Sequence, residues 1–318
     1  MTDSTTANAE PKTVVKPASS GSSWEDIANE VVPADMTMTG LATGARRGPS
    51  RPYPGAPRDA SKAWLPVPVQ PRAIECPLYA PDADFSAVLR GVEKTDKKQG
   101  THYFISHPAT AYDPDFASFS VDLQRALKQA THPALSGARV EDLLFVDIET
   151  TGLSSDGPLF LIGALRLDGE PRLDLFLARN YREEAAVLAA FQNLAAGKVI
   201  ITFNGKSFDW PYIKNRSQVH KVKHATPSAH FDLLHHARRT WKHQVPNCKL
   251  QTLELYLCGR TRRDDVPSSQ IPARYEEFVE LYSTSGRGAH LLAPVIHHNA
   301  LDILTMAQLL GLSGEKDK

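Results

Sequence analysis

Seven consecutive residues constrain this chain more than any others. Leu143-Leu144-Phe145-Val146-Asp147-Ile148-Glu149 is an apolar run that ends in two acids. Alternation along a strand sends Asp147 and Glu149 to one face, close together. Two like charges at ~4 Å repel by roughly 1 kcal/mol in water and by several times more near a protein surface. An apolar strand holds such a pair with a cation beside it, or with the pKa raised. The bland alternative is two exposed acids at a strand end.

The segments around this strand define a fold class. Residues 159–167 (LFLIGALRL) and 172–178 (RLDLFLA) are strand-like, the second with the alternation of an antiparallel partner. A helix over 183–197 with a glycine stop follows, then a buried strand, KVIITF (198–203), closed by Asn204-Gly205. Further helices are expected from 207–216, 233–241, 250–257 and 273–282, with a last one over about 291–310. The pattern predicts an α/β fold: three antiparallel strands plus parallel strands in one mixed sheet flanked by helices, spanning 141–311. Residues 64–140 carry weak periodicity and one clear helix, 121–130, and read as an N-terminal extension or small accessory region. Residues 1–63, with seven prolines in the first sixty and few large apolar side chains, read as a disordered tail ending in a basic linker. Within the tail, Trp24 to Val32 has the spacing of a short helix or a transient turn. Residues 312–318 form a short C-terminal tail.

Composition excludes several function classes. The chain has 318 residues, with 36 Lys plus Arg against 36 Asp plus Glu, which rules out a wholly basic, histone-like protein. Its three cysteines (Cys76, Cys248, Cys258) contain no CxxC pair, which argues against a disulfide framework and a cysteine-rich zinc module. Without an apolar h-region or an apolar run of ~18 residues, a cytoplasmic protein with no membrane partner is expected. Charge is nonetheless uneven. Between 214 and 249 there are eight Lys/Arg (Lys214, Arg216, Lys221, Lys223, Arg238, Arg239, Lys242, Lys249) against Asp232 alone. Such a stripe could track a phosphate backbone, the alternative being a solvated helix face. The histidines His220, His224, His230, His235 and His236 match no metal-site spacing and read as surface or core residues.

Extended by four residues, the acidic strand reads FVDIETTGL (145–153), which resembles the first motif of the DEDD superfamily of 3′–5′ exonucleases, built on a ribonuclease H-like fold. The resemblance implies that Asp147 and Glu149 bind catalytic metal and that Thr151 and Leu153 approach the 3′-terminal nucleotide. The family's second motif matches Asp209 in TFNGKSFDWPYI (202–213). Taken alone, Asp209 could equally satisfy helix N-terminal amides. Asn204, Lys206 and Phe208 are the candidate substrate contacts there: Lys206 for a phosphate, Phe208 with Trp210 and Tyr212 for stacking on bases. Aromatic side chains in such a segment are more often core. The third motif matches Asp302 in VIHHNALDIL (295–304). One subgroup of the superfamily has a histidine five residues before this Asp, another a tyrosine four before. Here His297 and His298 offer both spacings. Four apart on a helix, His298 and Asp302 share a face, whereas His297 points about 140° away. His298 is therefore the better general base where the helix already includes it; a helix starting later makes His297 competent.

Ordered blocks narrow the resemblance. NGKSFD, FDLLHHARRTWK, CKLQTLE, RRDDVPSSQIPARYEEF and HHNALDILTMAQLL occur in that order over 204–310, similar to the bacterial YprB-like ribonuclease H-like domain, a group placed with the DEDD exonucleases. The resemblance implies a hydrolase with Asp147, Glu149, Asp209 and Asp302 as ligands of two divalent cations, Mg²⁺ or Mn²⁺. It would remove nucleotides from the 3′ end or single strand of DNA or RNA, with His298 or His297 handling the proton. The competing expectations are a catalytically inactive nucleic-acid-binding or scaffolding module, and a ribonuclease H-type endonuclease.

Overall fold

The computed structural model describes residues 64–68, 70–116 and 120–314. The expected disordered tail and basic linker, including the segment around Trp24, lie outside the described residues.

The acidic strand, β4 (Leu143–Thr150), sits inside a seven-stranded sheet. Its side chains are buried on both faces as far as Val146, as the unbroken apolar run requires. It pairs antiparallel with β5 (Leu159–Arg166) and parallel with β7 (Val199–Thr202). Beyond β5 come β6 (Arg172–Leu177), β3 (Gly100–Pro108) and β2 (Val92–Asp96), all antiparallel. Beyond β7 comes β8 (Ala229–Asp232), parallel. The strand order is therefore 2-3-6-5-4-7-8.

This is the expected mixed sheet, with more strands than the sequence suggests. The three predicted antiparallel strands are β4, β5 and β6. The region before 141 extends the sheet through β2 and β3, so part of it belongs to the main sheet itself. Strand β2 (VEKTD) is exposed along its whole length and polar, an edge strand without a hydrophobic signal. Strand β8 is four residues long and runs straight into a helix, so its apolar residues merge into the helical pattern that follows.

Two layers cover the sheet. Leu144, Val146 and Ile148 of β4 belong to one core with Val187, Leu188 and Phe191 of α3 (Glu184–Ala195). Leu143 and Phe145, on the alternate face, belong to a second core with Ala300, Ile303, Leu304 and Ala307 of the last helix. The helices preceding α3 are α1 (Phe85–Leu89) and α2 (Ser120–Gln129); those after it are α4 (Asp209–Val219), α5 (Leu233–Thr240), α6 (Leu250–Cys258), α7 (Ile271–Ser285) and α8 (Ala289–Leu312). Helix α8 is the longest at 24 residues and nearly all of it is buried. It is apolar all round because α2, α6, α7 and the sheet enclose it. The expected boundary near 291 moves to Ala289, which puts both His297 and His298 well inside the helix.

One glycine sets how closely α8 approaches the sheet. Gly163 of β5 lies opposite Asp147, and a Cβ there would fall 1.9 Å from Asn299 Oδ1 and 2.5 Å from Ile303 Cδ1. A short parallel pair, β1 (Arg72–Glu75) with β9 (Arg260–Arg263), completes the described strands. Among the described residues, no helix is long and apolar enough to cross a membrane.

Candidate active site

Strand β7 stops pairing with β4 at Phe145, so the last residues of β4 run past their parallel neighbour. That exposes an edge beside Asp147 and Glu149, and the loop after β7 turns α4 into it. Asp209, the first residue of α4 and 5% exposed, accepts a hydrogen bond from the Ile148 main-chain N–H. The turn that delivers it is tightly specified. Asn204 is left-handed (φ 66°), and a Cβ on Gly205 would fall 2.4 Å from Thr202 Cβ. Asp232, at the end of β8, accepts from the N–H groups of Asn204 (2.9 Å), Lys206 (3.0 Å) and Leu234 (3.0 Å). It thereby holds the loop and caps α5.

From the other side, α8 presents Asp302, His298 and Asn299. Asn299 Nδ2 donates to Asp147 Oδ2 at 2.7 Å and reaches Glu149 Oε1 at 3.5 Å, while its buried Oδ1 has no hydrogen-bond partner. The four acids singled out in the sequence thus meet from three elements, β4, α4 and α8. Their electrostatics record the crowding. Burial, followed by the charges of Asp209, Asp302 and Glu149, pushes the Asp147 carboxyl well above its ordinary range. Burial likewise pushes Glu149 up to about 8 and Asp209 up to about 7, with Asp302 adding to both.

Cations within the chain answer part of this charge. Arg262 of β9, 4% exposed at its side chain, places Nη2 2.6 Å from Asp302 Oδ1 and Nε 2.8 Å from Glu254 Oε2 of α6. His298 Nδ1 lies 2.9 Å from Asp265 Oδ1, and its Nε2 lies 3.6 Å from Asp302 Oδ2. Burial opposes the charge on His298, yet Asp302 and Asp265 raise it to about 9, so the imidazole is protonated at neutral pH. His297 faces away, toward Tyr112 at 6.1 Å between ring centres, and burial lowers it to about 4.

Around the acids, Thr151 is half-buried with its N–H and hydroxyl donating to the Pro158 carbonyl, and Leu153 is half-buried in the same loop. Asn204 and Lys206 are exposed beside Asp209. Phe208 is half-buried against Tyr212 (5.5 Å, tilted). Of the aromatic residues here, Tyr212 is a core residue, 2% exposed, as is more usual for such a segment, and its hydroxyl donates to the Gly157 carbonyl. The basic stripe also loses a member. Arg216 is buried in a two-toothed pair with Glu184, both contacts at 2.7 Å, because α4 turns that face onto α3. Lys214, Lys221, Lys223, Arg238, Arg239 and Lys242 remain exposed. The histidines between 220 and 236 disperse: His220 bonds Glu184, His224 bonds Gln192 and His230 bonds Thr202.

Sequence reasoning missed Arg262, Asn299, Asp265 and Asp232. Arg262 and Asp265 lie in the block RRDDVPSSQ, and Asn299 sits between the two histidines and Asp302, yet nothing in their spacing reveals that Arg262 meets Asp302, Asp265 meets His298 or Asn299 meets β4. Among the described residues, no group of three or more Asp, Glu, His or Cys side chains is arranged, as it stands, to hold a metal ion. The donor set suits a divalent ion all the same: hard carboxylate oxygens whose mutual repulsion a cation would relieve.

Comparison with known protein families agrees with the architecture. YprB, an uncharacterized protein of Bacillus subtilis (strain 168), is 33% identical over 180 residues, covering 54% of this chain; the chain spans only 42% of YprB. Among solved structures, the family B DNA polymerase of the hyperthermophilic archaeon Pyrobaculum calidifontis aligns with a TM-score of 0.40 at 17% identity, over 54% of this chain and 24% of the polymerase. The RNase H superfamily family model matches residues 144–312, more than half of the chain, from the second residue of β4 to the end of α8. The chain belongs to the RNase H superfamily.

Proposed function

We propose that this chain is a divalent-cation-dependent nuclease that hydrolyses phosphodiester bonds of DNA or RNA from the 3′ end. The observation that carries the reading is the convergence of Asp147, Glu149, Asp209 and Asp302 at the open end of β4, at carboxyl pKa values raised for three of them. Carboxylates placed together at such cost fit a role as cation ligands. These four residues would hold Mg²⁺ or Mn²⁺, which when bound supplies Lewis-acid stabilisation of the phosphoryl charge and acidifies water.

The chain's own groups divide the remaining work. Water attacks phosphorus, the bond to the 3′-oxygen breaks, and that oxygen leaves with a proton, releasing a nucleoside 5′-monophosphate. His298 would take the water's proton once the anionic charge of Asp302, which together with Asp265 raises its pKa, is neutralised. Thr151 and Leu153 would orient the terminal nucleotide, and Asn204, Lys206 and Phe208 would line its approach. Asp265 fixes the ring through Nδ1.

The test offers 5′-labelled DNA and RNA strands, with free and with blocked 3′ ends, in Mn²⁺, in Mg²⁺ and in EDTA. A ladder shortening from the free 3′ end, lost in EDTA and in Asp147→Asn, is the expected outcome. Internal cleavage of the blocked strand would favour the endonuclease reading. Binding without cleavage of any strand in either metal would favour an inactive nucleic-acid-binding module.

A further inference from the structure

The exposed basic residues beyond β7 include one place where the fold fixes a donor between two cations. After α2 the chain turns at His132, whose main-chain carbonyl accepts from the N–H groups of Leu135 (2.9 Å) and Ser136 (3.0 Å). His132 Nδ1 accepts from the Ala134 N–H at 3.1 Å, which leaves the hydrogen of the neutral ring on Nε2. The ring is half-buried and stands edge-on to Phe231 of β8, with 4.8 Å between ring centres. Its position and its tautomer are therefore both set by the fold.

Two cations flank this ring. His236 of α5 lies 5.9 Å from Phe231, and Arg239, three residues further on, shares that helix face and is exposed. Lys206 enters from the loop after β7, its N–H held at 3.0 Å by Asp232, the residue that follows Phe231. Burial and the charges of Lys206 and Arg239 hold His132 below its ordinary pKa range, so the imidazole is a neutral donor at pH 7. The neighbouring acid, Asp232, is turned inward onto the N–H groups of Asn204, Lys206 and Leu234. Among the described residues, neither Lys206 nor Arg239 has an acid as a salt-bridge partner. Two cations and a fixed N–H suit the oxygens of a phosphate. Strand β8 is two strand spacings from β4, roughly 10 Å, so this place adjoins the acidic cluster without belonging to it.

We propose that Lys206, His132 and Arg239 form a subsite for an internucleotide phosphate 5′ to the scissile bond, so that the substrate strand leaves the acids across β7 and β8. The inference rests on the proposed nuclease reading, and it enlists a residue that precedes the matched span of the RNase H superfamily. The test measures binding of a 5′-labelled single-stranded oligothymidylate to the full chain by fluorescence anisotropy in EDTA. His132→Ala should weaken binding about tenfold, as for a lost hydrogen bond to a charged group. His132→Gln, whose side-chain amide offers an N–H in place of Nε2, should keep most of the affinity. Arg239→Ala should weaken binding too, yet add little to His132→Ala, because both contacts hold one phosphate. Circular dichroism checks folding; His132→Phe, which keeps a ring against Phe231 and lacks the donor, carries the test should the alanine variant not fold. A diffuse basic face predicts wild-type affinity for His132→Ala, which removes no charge, and full additivity with Arg239→Ala. Either result would overturn the subsite and, with 3′ cleavage in Mn²⁺ intact, leave the nuclease reading standing. Binding that depends on His132 without cleavage in either metal would keep the subsite and remove the nuclease reading. A wild-type chain that binds no strand, in EDTA or in Mn²⁺, would remove both.

Discussion

Replacing Glu149 by Gln should stabilise the metal-free protein at neutral pH, an unusual outcome for a residue proposed to be essential. In the fold, burial pushes the Glu149 carboxyl from its ordinary 4.5 up to about 8. A carboxyl whose pKa is raised on folding contributes stability that is full below 4.5 and is lost as pH climbs toward 8. Between 4.5 and a working pH of 7 the loss comes to about 3 kcal/mol, at ~1.4 kcal/mol per pH unit. That figure is a ceiling, because Asp147, Asp209 and Asp302 share the same repulsion and relax when one of them is neutral. Glutamine has the same shape and does not titrate. In a domain of this size about 1 kcal/mol moves Tm by roughly 2–4 °C. The Tm of Glu149→Gln should therefore gain on the wild type by up to about 6–12 °C as the buffer is taken from about pH 4.5 to 7 in EDTA. Adding Mn²⁺ at about pH 7 should reverse the order, since the wild type gains a ligand-linked increment that the variant largely lacks. A Tm difference that stays flat across this pH range in EDTA would refute the reasoning, because the carboxylate would then be compensated already within the fold.

Three further outcomes are expected from particular contacts. Arg216→Met should cost up to about 3–5 kcal/mol of stability, read by denaturant unfolding, because it leaves the buried Glu184 with only the His220 imidazole and the Leu159 N–H as partners; its effect on nucleic-acid binding should be small for a residue of the basic stripe. Gly163→Ala should cost about 1–3 kcal/mol by driving a methyl into Asn299 and Ile303, and calorimetry should show weaker Mn²⁺ binding because the amide that holds Asp147 is displaced. Lys206→Ala should leave Tm nearly unchanged and lower the salt dependence of single-strand binding by about one unit of log K per log salt, as expected for one lost phosphate contact.

How much of the site was legible in the sequence depends on the kind of pattern involved. Asp147 and Glu149 announce themselves because two acids at alternate positions of an apolar strand are costly in any fold. Asp209 and Asp302 are legible only beside a motif order, since an acid at a helix start or on a helix face has ordinary explanations. His298 follows from helical spacing once the helix is known to begin at Ala289, nine residues earlier. Arg216 misleads, and Tyr212 leaves two readings open, for one reason: an aromatic or basic residue on a helix reads the same whether its face meets solvent or, as here, packs against α3 and the loop after β4.

What the chain determines by itself is local and periodic. It sets the buried strand with its paired acids, the helical stretches, and the glycine-bearing turn that starts α4. Only the tertiary structure decides which distant groups share the space around those acids. Arg262 is 115 residues from Asp147 in the chain, and Arg72 is 190 from Arg262. They belong to one electrostatic system, linked through Asp113, Arg260 and Glu254, because β1 pairs with β9 and α8 lies across β4 and β5. No periodicity encodes a contact between elements that far apart. It arises when burying the apolar faces leaves each enclosed charge to find its partner among whatever side chains the packing has brought near.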